Sequence, residues 1–253
     1  MADKIVAVDV GNSRAKFGVF KRGPEGVEPF ARAVVSLRRQ RDVAGQLARW
    51  PDARDVDGSI VAGSNPPVLD RLLEDWPRDL PPATAIRHPR SVPVKLQVDQ
   101  PDAVGLDRVL NAFAAIRLCP DKDVIVVDSG TTTTVDLVSA DGVFHGGTIL
   151  PGLLLSAYAL HDYTAKLPML DVDAKQTGLP RLPGRNTEEA MRAGLFWGQL
   201  GAIREIVARI TDKCESTPTV LLTGGGSRLL SPQLTETMWI EGLPLHGLAM
   251  LAD

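Results

Sequence analysis

The chain has few cysteines and no long apolar run. Its two cysteines, Cys119 and Cys214, cannot build a disulfide framework, and they lack the spacing of metal ligands. Its four histidines are equally scattered, which argues against a zinc site. No run reaches the roughly 18 apolar residues of a membrane span, and the first residues lead into a strand without a signal-peptide pattern. These absences predict a soluble, cytoplasmic protein.

The chain also lacks an excess of positive charge. Lys and Arg number 28 against 31 Asp and Glu, which gives a net charge of −3 and a pI near 5.8. Such a balance provides no field that would attract nucleic acid or an anionic membrane, so neither is expected as a partner. A length of 253 residues with 44% hydrophobic residues suffices for one large or two small globular domains.

One acidic, glycine-containing phrase occurs twice, as Val8–Ser13 and Val127–Thr132. Each copy follows a β-branched apolar run that is typical of a buried strand, and a second strand is predicted directly after each copy, over 15–20 and 134–138. Two hairpins of one pattern predict a duplicated fold with two phosphate-binding turns that face each other, and hence a nucleotide-dependent phosphotransferase. The alternative is a pair of ordinary hairpins with glycine turns and Asx caps.

The residue types in these turns suit a phosphate and a metal ion. Gly11 and Gly130 are able to adopt positive φ, and the amides that follow each glycine could then point at one anion. Lys16 would add a positive charge. The carboxylates of Asp9 and Asp128 would repel a phosphate unless a cation lay between them, so a bound metal is expected.

The remaining pattern alternates strands with helices, which predicts an α/β fold. Apolar spacing predicts helices over 38–50, 68–76, 105–118, 153–166 and 187–213, and strands over 58–64 and 220–223. Thr187 is expected to cap the last of these helices. The segment after Cys119 starts the second hairpin, which predicts domains at 1–119 and 120–253. The small residues Gly194, Gly198 and Gly201 form a stripe where another helix could approach closely, and packing within the chain is favoured over a dimer contact.

The chain resembles the type III pantothenate kinases of the actin-like ATPase superfamily nearly end to end. The resemblance is carried by Asp9–Lys16, Gly105–Arg108 with the following Asn111, Asp128–Thr134 and Thr223–Gly226. The Gly-x-Asp-Arg element between two acidic-glycine phrases is the most specific part. The resemblance implies two ribonuclease-H-like domains with a central interdomain cleft, and a homodimer. It further implies that ATP phosphorylates the primary hydroxyl of pantothenate to give 4′-phosphopantothenate, the first committed step towards coenzyme A.

The resemblance also implies roles for individual residues. Asp107 would be the general base, Asp9 would hold Mg²⁺ or another divalent ion with ATP, and Asp128 would bind a monovalent cation, K⁺ or NH₄⁺. ATP would be bound by Asp9, Val10, Gly11, Asn12, Ser13, Arg14, Ala15, Lys16 and Thr131. Pantothenate would be bound by Gly105, Leu106, Asp107, Arg108 and Thr187. Many relatives have a Tyr where this chain has Val98.

Simple structural roles are also open to the acceptor-site residues. An Asp in the first turn of a helix stabilises that helix by about 0.5–2 kcal/mol, so Asp107 could be a cap as well as a base. Arg108 could pair with the carboxylate of an acidic substrate or form a surface salt bridge. The triple glycine Gly224–Gly226 could admit the adenosine of ATP to the backbone or form a plain turn.

Two rival functions stay open at this stage. One is a superfamily kinase for another small acid or polyol, or a phosphatase, which the Gly-x-Asp-Arg element disfavours. The other is a catalytically silent regulator, which the presence of Asp9, Lys16, Asp107 and Asp128 disfavours.

Overall fold

In the computed structural model of the protein, residues 3–24, 26–37, 42–171 and 178–252 are described. The chain separates into two compact units, residues 1–118 with 242–253, and residues 119–241. The strands are β1 (Lys4–Val10), β2 (Arg14–Gly23), β3 (Gly26–Ser36), β4 (Gly58–Gly63), β5 (Ala83–Ile86), β6 (Lys95–Leu96), β7 (Val124–Ser129), β8 (Thr132–Val138), β9 (Val143–Pro151), β10 (Thr219–Thr223) and β11 (Thr237–Trp239). The helices are α1 (Val43–Arg49), α2 (Pro66–Glu74), α3 (Leu106–Leu118), α4 (Leu153–Asp162), α5 (Thr187–Thr211), α6 (Ser227–Leu230) and α7 (Leu243–Leu251).

The two units repeat one sheet topology. In the first, the order is β3-β2-β1-β4-β5; in the second, the corresponding strands run β9-β8-β7-β10-β11. The first three strands of each unit form an antiparallel meander, and the last two join parallel to the central strand. This arrangement confirms the predicted duplication and the α/β class with two ribonuclease-H-like units.

Both faces of the central strand of the first unit are buried, as its continuous apolar sequence predicts. On one face, Ile5 and Ala7 pack with residues of α3 and α7. On the other, Val6 and Val8 pack with residues of α1 and α2. In the second unit, Ile125 and Val127 of β7 pack against α5 through the cluster that contains Phe196, Leu200 and Ile203. Each acidic-glycine turn therefore begins at the end of a strand that is fixed by its core.

The C-terminal helix returns to the first unit of the chain. That unit ends at Leu118, and α7 belongs to it as well. Leu245 and Leu248 join the cluster of Phe20 and Leu110. Gly247 lies so close to α3 that a Cβ there would be 2.4 Å from the Leu110 carbonyl oxygen. Close helix packing at a glycine thus fixes α7 on the first sheet.

His246 makes this packing sensitive to acid. Its ring lies edge-on to Phe20 with 5.0 Å between the centroids. Burial, with a smaller contribution from Arg32, lowers the pKa of His246 to about 4. Because the folded pKa lies below that of the unfolded chain, the neutral ring contributes its full stability above about pH 6.5, and this stability is lost as the pH falls towards 4.

Several element predictions are confirmed and others need correction. Helix α3 begins at Leu106, one residue after the predicted start, and ends at the predicted Leu118, whereas α4 ends at Asp162, before the predicted residue 166. Part of the predicted helix 38–50 lies outside the described residues. The cap of α5 is Asn186, whose side chain accepts from the Glu189 amide at 2.9 Å, so the prediction for Thr187 as the cap is wrong. Among the described residues, no helix combines the length and apolarity needed to cross a membrane.

The small-residue stripe on α5 is also not used as expected. None of the described residues comes within 4 Å of a Cβ built on Gly194, Gly198 or Gly201. Contrary to the favoured expectation, none of the described residues therefore packs on this stripe.

Candidate active site

The first acidic-glycine hairpin brings a carboxylate and an ammonium group together. Asp9 and Lys16 are register partners on the antiparallel strands β1 and β2. Lys16 Nζ lies 2.9 Å from Asp9 Oδ2, and Asp9 is only 3% exposed. A carboxylate this deeply buried needs a positively charged partner. Removing one partner of a buried ion pair strongly destabilises the fold, because the other charge is left buried and unpaired.

The turn that follows Asp9 has a defined backbone. The Gly11 amide donates to the Arg14 carbonyl at 2.9 Å, which closes a turn over residues 11–14. The Ser13 carbonyl accepts from the Leu37 amide at 3.0 Å. Asn12 and Arg14 are exposed at the turn, while Val10 and Ala15 are buried on either side of it. The predicted phosphate-binding residues therefore form a fixed loop between two buried strand ends.

The second hairpin repeats this turn with one residue fewer. The Gly130 amide donates to the Thr132 carbonyl at 2.9 Å, whereas Gly11 reaches three residues ahead. Asp128 consequently pairs in register with Thr134, where Asp9 pairs with Lys16. The two aspartates thus lie in different chemical surroundings, one beside an ammonium group and one beside a hydroxyl.

Neither turn glycine adopts the predicted positive φ. Among the described glycines, positive φ occurs at 26, 142, 146, 178, 224 and 242. Gly11 and Gly130 are not in this set, so that prediction is wrong. The glycine with positive φ near this turn is Gly224, which directly follows β10 and has a φ of +91°.

Glycine backbones pack directly on the Asp128 turn. A Cβ on Gly224 would lie 2.4 Å from Asp128 Oδ1, and one on Gly226 would lie 2.6 Å from Ser129 Oγ. On the adjoining residues, a Cβ on Gly152 would lie 2.4 Å from the Gly130 carbonyl oxygen. The Gly226 amide donates to the Ser129 carbonyl at 2.7 Å, and the Gly152 amide donates to the Thr131 carbonyl at 3.0 Å. The triple glycine is therefore more than a plain turn, because it fits against the acidic strand end.

Buried hydroxyl groups occur on the residues that follow and pair with Asp128. The hydroxyls of Ser129, Thr133 and Thr134 are buried and have no hydrogen-bond partner among the described residues. Thr134 is the register partner of Asp128, so its hydroxyl and that carboxylate share one face of the sheet. A carboxylate with neutral oxygen donors is a suitable donor set for a hard cation.

The Gly-x-Asp-Arg element lies at the start of α3. Asp107 Oδ1 accepts from the Arg108 amide at 2.9 Å. The carboxylate folds back so far that a Cβ on Gly105 would be 2.7 Å from Asp107 Oδ1. The carboxylate therefore lies close over the Gly105 backbone, and both Asp107 and Arg108 are only partly buried. The carboxylate is held in position while its surroundings stay accessible.

An ion pair that nothing in the sequence predicts constrains the segment before α3. Arg90 Nε lies 2.5 Å from Asp102 Oδ1, and Arg90 Nη2 lies 3.1 Å from Asp102 Oδ2. The hydrogen bonds from Arg90 lower the pKa of Asp102. The two residues belong to short 3₁₀ turns at Pro89–Ser91 and Pro101–Ala103, so the pair links the two ends of the segment that contains Val98. Two opposite charges 12 residues apart leave no periodic signal in a single sequence.

Thr187 lies in an apolar groove between α4 and α5. The groove has a volume of about 890 Å³ and is lined by residues of both helices and of the segment after α4, among them Leu160, Tyr163 and Met191. Thr187 is the first residue of α5, next to Asn186, which caps the helix and leaves the Thr187 hydroxyl unneeded for that purpose. Tyr163 is 90% exposed at this groove.

The donor chemistry at Asp9 fits a divalent ion bound together with a phosphate. Mg²⁺ in proteins is usually held by one or two carboxylates together with phosphate oxygens and water, and Asp9 is one carboxylate beside a phosphate-type turn. No group of three or more His, Cys, Asp or Glu side chains suited to a metal occurs among the described residues.

Comparison with known proteins gives the family. A sequence model described as type III pantothenate kinase matches residues 5–209. A type III pantothenate kinase of Sphingopyxis alaskensis is 34% identical, over 98% of this chain and 97% of that protein. Another of Gluconobacter oxydans is 33% identical, over 98% of this chain and 93% of that protein.

A solved structure shows the same fold at much lower identity. The ethanolamine utilization protein EutJ from Carboxydothermus hydrogenoformans superposes with a TM-score of 0.55 at 15% identity, over 99% of this chain and 90% of that one. At this identity the likeness concerns the fold alone. The full-length sequence matches, together with the duplicated hairpins and the Gly-x-Asp-Arg element, place the chain in the type III pantothenate kinase family.

Proposed function

We propose that this chain transfers the γ-phosphoryl group of ATP to the primary hydroxyl of pantothenate, giving 4′-phosphopantothenate and ADP in the route to coenzyme A. Family membership over residues 5–209 is the observation that carries the proposal. The position of Asp107 and Arg108 at the start of α3 supports it.

Residues of both acidic-glycine turns bind ATP in this proposal. Lys16 and the backbone of residues 10–15 bind the phosphates, Asp9 holds the divalent ion, and Thr131 contacts the nucleotide. The divalent ion, when bound, neutralises charge that develops on the phosphate oxygens. Lys16 is suited to its role because its ammonium group already lies at the turn, 2.9 Å from Asp9 Oδ2.

The acceptor is bound by Gly105–Arg108 and Thr187. Arg108 binds the pantothenate carboxylate, because a guanidinium fork matches a carboxylate with two hydrogen bonds. Asp107 orients the primary hydroxyl and takes its proton as the new O–P bond forms and the bond to the β-phosphate oxygen breaks. A loose phosphoryl-transfer transition state needs mostly positioning, and a held carboxylate provides it. Val98 leaves this site without the Tyr that many relatives have there.

The enzyme assay that tests the proposal uses purified protein, ATP, Mg²⁺ and K⁺. We expect mass spectrometry to detect 4′-phosphopantothenate from pantothenate and no product from other small hydroxy acids. Absence of any phosphorylated product would favour a silent regulator. Turnover of another acid in preference to pantothenate would favour a kinase with a different acceptor.

The variant Asp107→Asn distinguishes a role of Asp107 as general base from a role as helix cap. The Asn carbonyl oxygen can still accept from the Arg108 amide, so the free energy of unfolding should hardly change. Loss of the base should lower kcat by roughly 10²–10⁴. The matched control is Asp75→Asn at the exposed C-terminal end of α2, which should leave kcat unchanged. Near-normal turnover of Asp107→Asn would show that Asp107 is only structural.

We propose that Asp128 binds a monovalent cation, K⁺ or NH₄⁺. The register pairing of Asp128 with Thr134, and the buried hydroxyl of Thr134 that lacks a hydrogen-bond partner, support this assignment. Asp9 is instead assigned to the divalent ion that accompanies ATP, because it begins the turn where Lys16 and backbone amides are proposed to bind the phosphates.

Activity should therefore rise when K⁺ or NH₄⁺ replaces Na⁺ at constant ionic strength. Asp128→Ala should abolish this activation, and Thr134→Val, which keeps the side-chain shape, should weaken it. Asp9→Ala should instead impair the use of Mg-ATP in every monovalent salt. Equal initial rates of the unmodified protein in Na⁺ and K⁺ would contradict the assignment of Asp128.

We propose that the chain forms a homodimer through the glycine face of α5. Gly194, Gly198 and Gly201 are exposed, and a Cβ on each meets none of the described residues, so another backbone could approach closely. The apolar groove that contains Thr187 and the exposed Tyr163 adjoins this face, since Gly194 also lines it.

Light scattering should give about twice the 27.2 kDa chain mass. Gly198→Glu should yield a folded monomer, because replacing glycine within a helix favours the helix by up to about 1 kcal/mol while the carboxylate blocks the contact. Ala48→Glu, at an exposed site on α1, is the matched control and should stay dimeric. A dimeric Gly198→Glu protein would rule out this interface.

A further inference from the structure

Trp239, the last residue of β11, has its polar atom fixed and much of its ring exposed. Its indole Nε1 donates to Ser227 Oγ at 2.9 Å. Ser227 is fully buried, and its own hydroxyl donates to the Gly224 carbonyl at 2.5 Å. Trp239 as a whole is 42% exposed. Ser227 thus links the exposed Trp239 side chain to the triple-glycine turn through two hydrogen bonds.

The ring lies at the edge of the sheet where a nucleotide is expected. Strands β7, β10 and β11 are mutually parallel, so their carboxyl ends meet at one edge. Ligands of open α/β sheets bind outside the carboxyl ends of the strands. At this edge β7 ends in the Asp128 turn, β10 ends in the triple glycine, and β11 ends in Trp239.

Glycine backbone at Gly224 and Gly226 lies between the Asp128 turn and Trp239 along this edge. Gly224 and Gly226 fit against Asp128 and Ser129 with no room for a Cβ. Two strand spacings, about 10 Å, separate β7 from β11. A nucleotide with its phosphates at the residue 130–131 turn could extend over bare backbone across the end of β10 and reach the indole with its base.

We propose that Trp239 is the surface on which the base of the nucleoside triphosphate stacks. The inference rests on the proposed function, because it takes the phosphates to bind at the residue 130–131 turn. The indole N–H is already used by Ser227, so the ring contributes its face and no hydrogen bond to the base edge. Stacking on an aromatic face is tolerant of base identity, so Trp239 should support purine nucleotides without selecting adenine over guanine.

Binding of ADP, measured by calorimetry without pantothenate, tests the inference. Trp239→Ala should raise the Kd of ADP and the KM of ATP about 5- to 20-fold, in the lower part of the range for losing one base–aromatic contact. The kcat and the KM for pantothenate should stay within about twofold. Inorganic tripolyphosphate, which has no base, should bind Trp239→Ala and the unmodified protein equally.

Two further variants separate stacking from a structural role. Trp239→Phe keeps an aromatic face, so it should retain ADP affinity while losing the change in tryptophan fluorescence that ADP produces in the unmodified protein. Met238→Ala removes the neighbouring side chain, which is 53% exposed on the same edge strand, and should leave ADP binding unchanged.

Equal ADP affinity of Trp239→Ala and the unmodified protein would overturn the inference and leave the proposed kinase activity standing. Weakened binding of tripolyphosphate together with ADP would also overturn it, because the defect would then not concern the base. An unmodified protein that bound no ADP and made no 4′-phosphopantothenate would overturn the proposed function as well.

Discussion

The close approach of glycine backbones to the end of β7 is the constraint on which the second unit depends. Gly152 lies on the carbonyls of the residue 130–131 turn, and Gly224 and Gly226 lie on Asp128 and Ser129. A Cβ at Gly152 or Gly224 would lie 2.4 Å from a backbone oxygen, and a Cβ at Gly226 would lie 2.6 Å from Ser129 Oγ. These contacts fix α4, the β10 end and the acidic turn as one body, so the oxygen atoms around Asp128 are preorganised.

A one-residue difference between the two hairpins separates their chemistry. The longer first turn places Lys16 opposite Asp9, and the shorter second turn places Thr134 opposite Asp128. Because side chains alternate along a strand, one added residue changes which side chain faces the acidic position. Duplication therefore supplied two equivalent carboxylates, and turn length gave them different partners.

The sequence predicts features that arise from local patterns. The two hairpins, the α3 helix and the parallel strands β4 and β10 follow from apolar runs and turn residues, and the structure confirms them. Strand β3 is less evident because it contains Pro29, which an edge strand tolerates since it pairs on one side only.

Features that depend on distant packing could not be predicted in this way. Helix α7 contains Pro244 and Gly247, which oppose a helix prediction, yet Gly247 is what allows it to lie against α3. Gly224 has positive φ and lies against Asp128 and the Ser129 carbonyl oxygen, which are more than 90 positions away in the sequence. The Arg90–Asp102 pair and the Trp239–Ser227 bond likewise join residues with no shared period.

The proposed site divides recognition unequally between donor and acceptor. On the donor side, turn amides, Lys16 and the face of Trp239 would bind phosphate groups and an aromatic ring, features that all nucleoside triphosphates share. On the acceptor side, Asp107 is held by the Arg108 amide and folded over Gly105, so the carboxylate has one defined position. Specificity in such an arrangement comes from the acceptor, because a hydroxyl and a carboxylate must fit Asp107 and Arg108 at the same time.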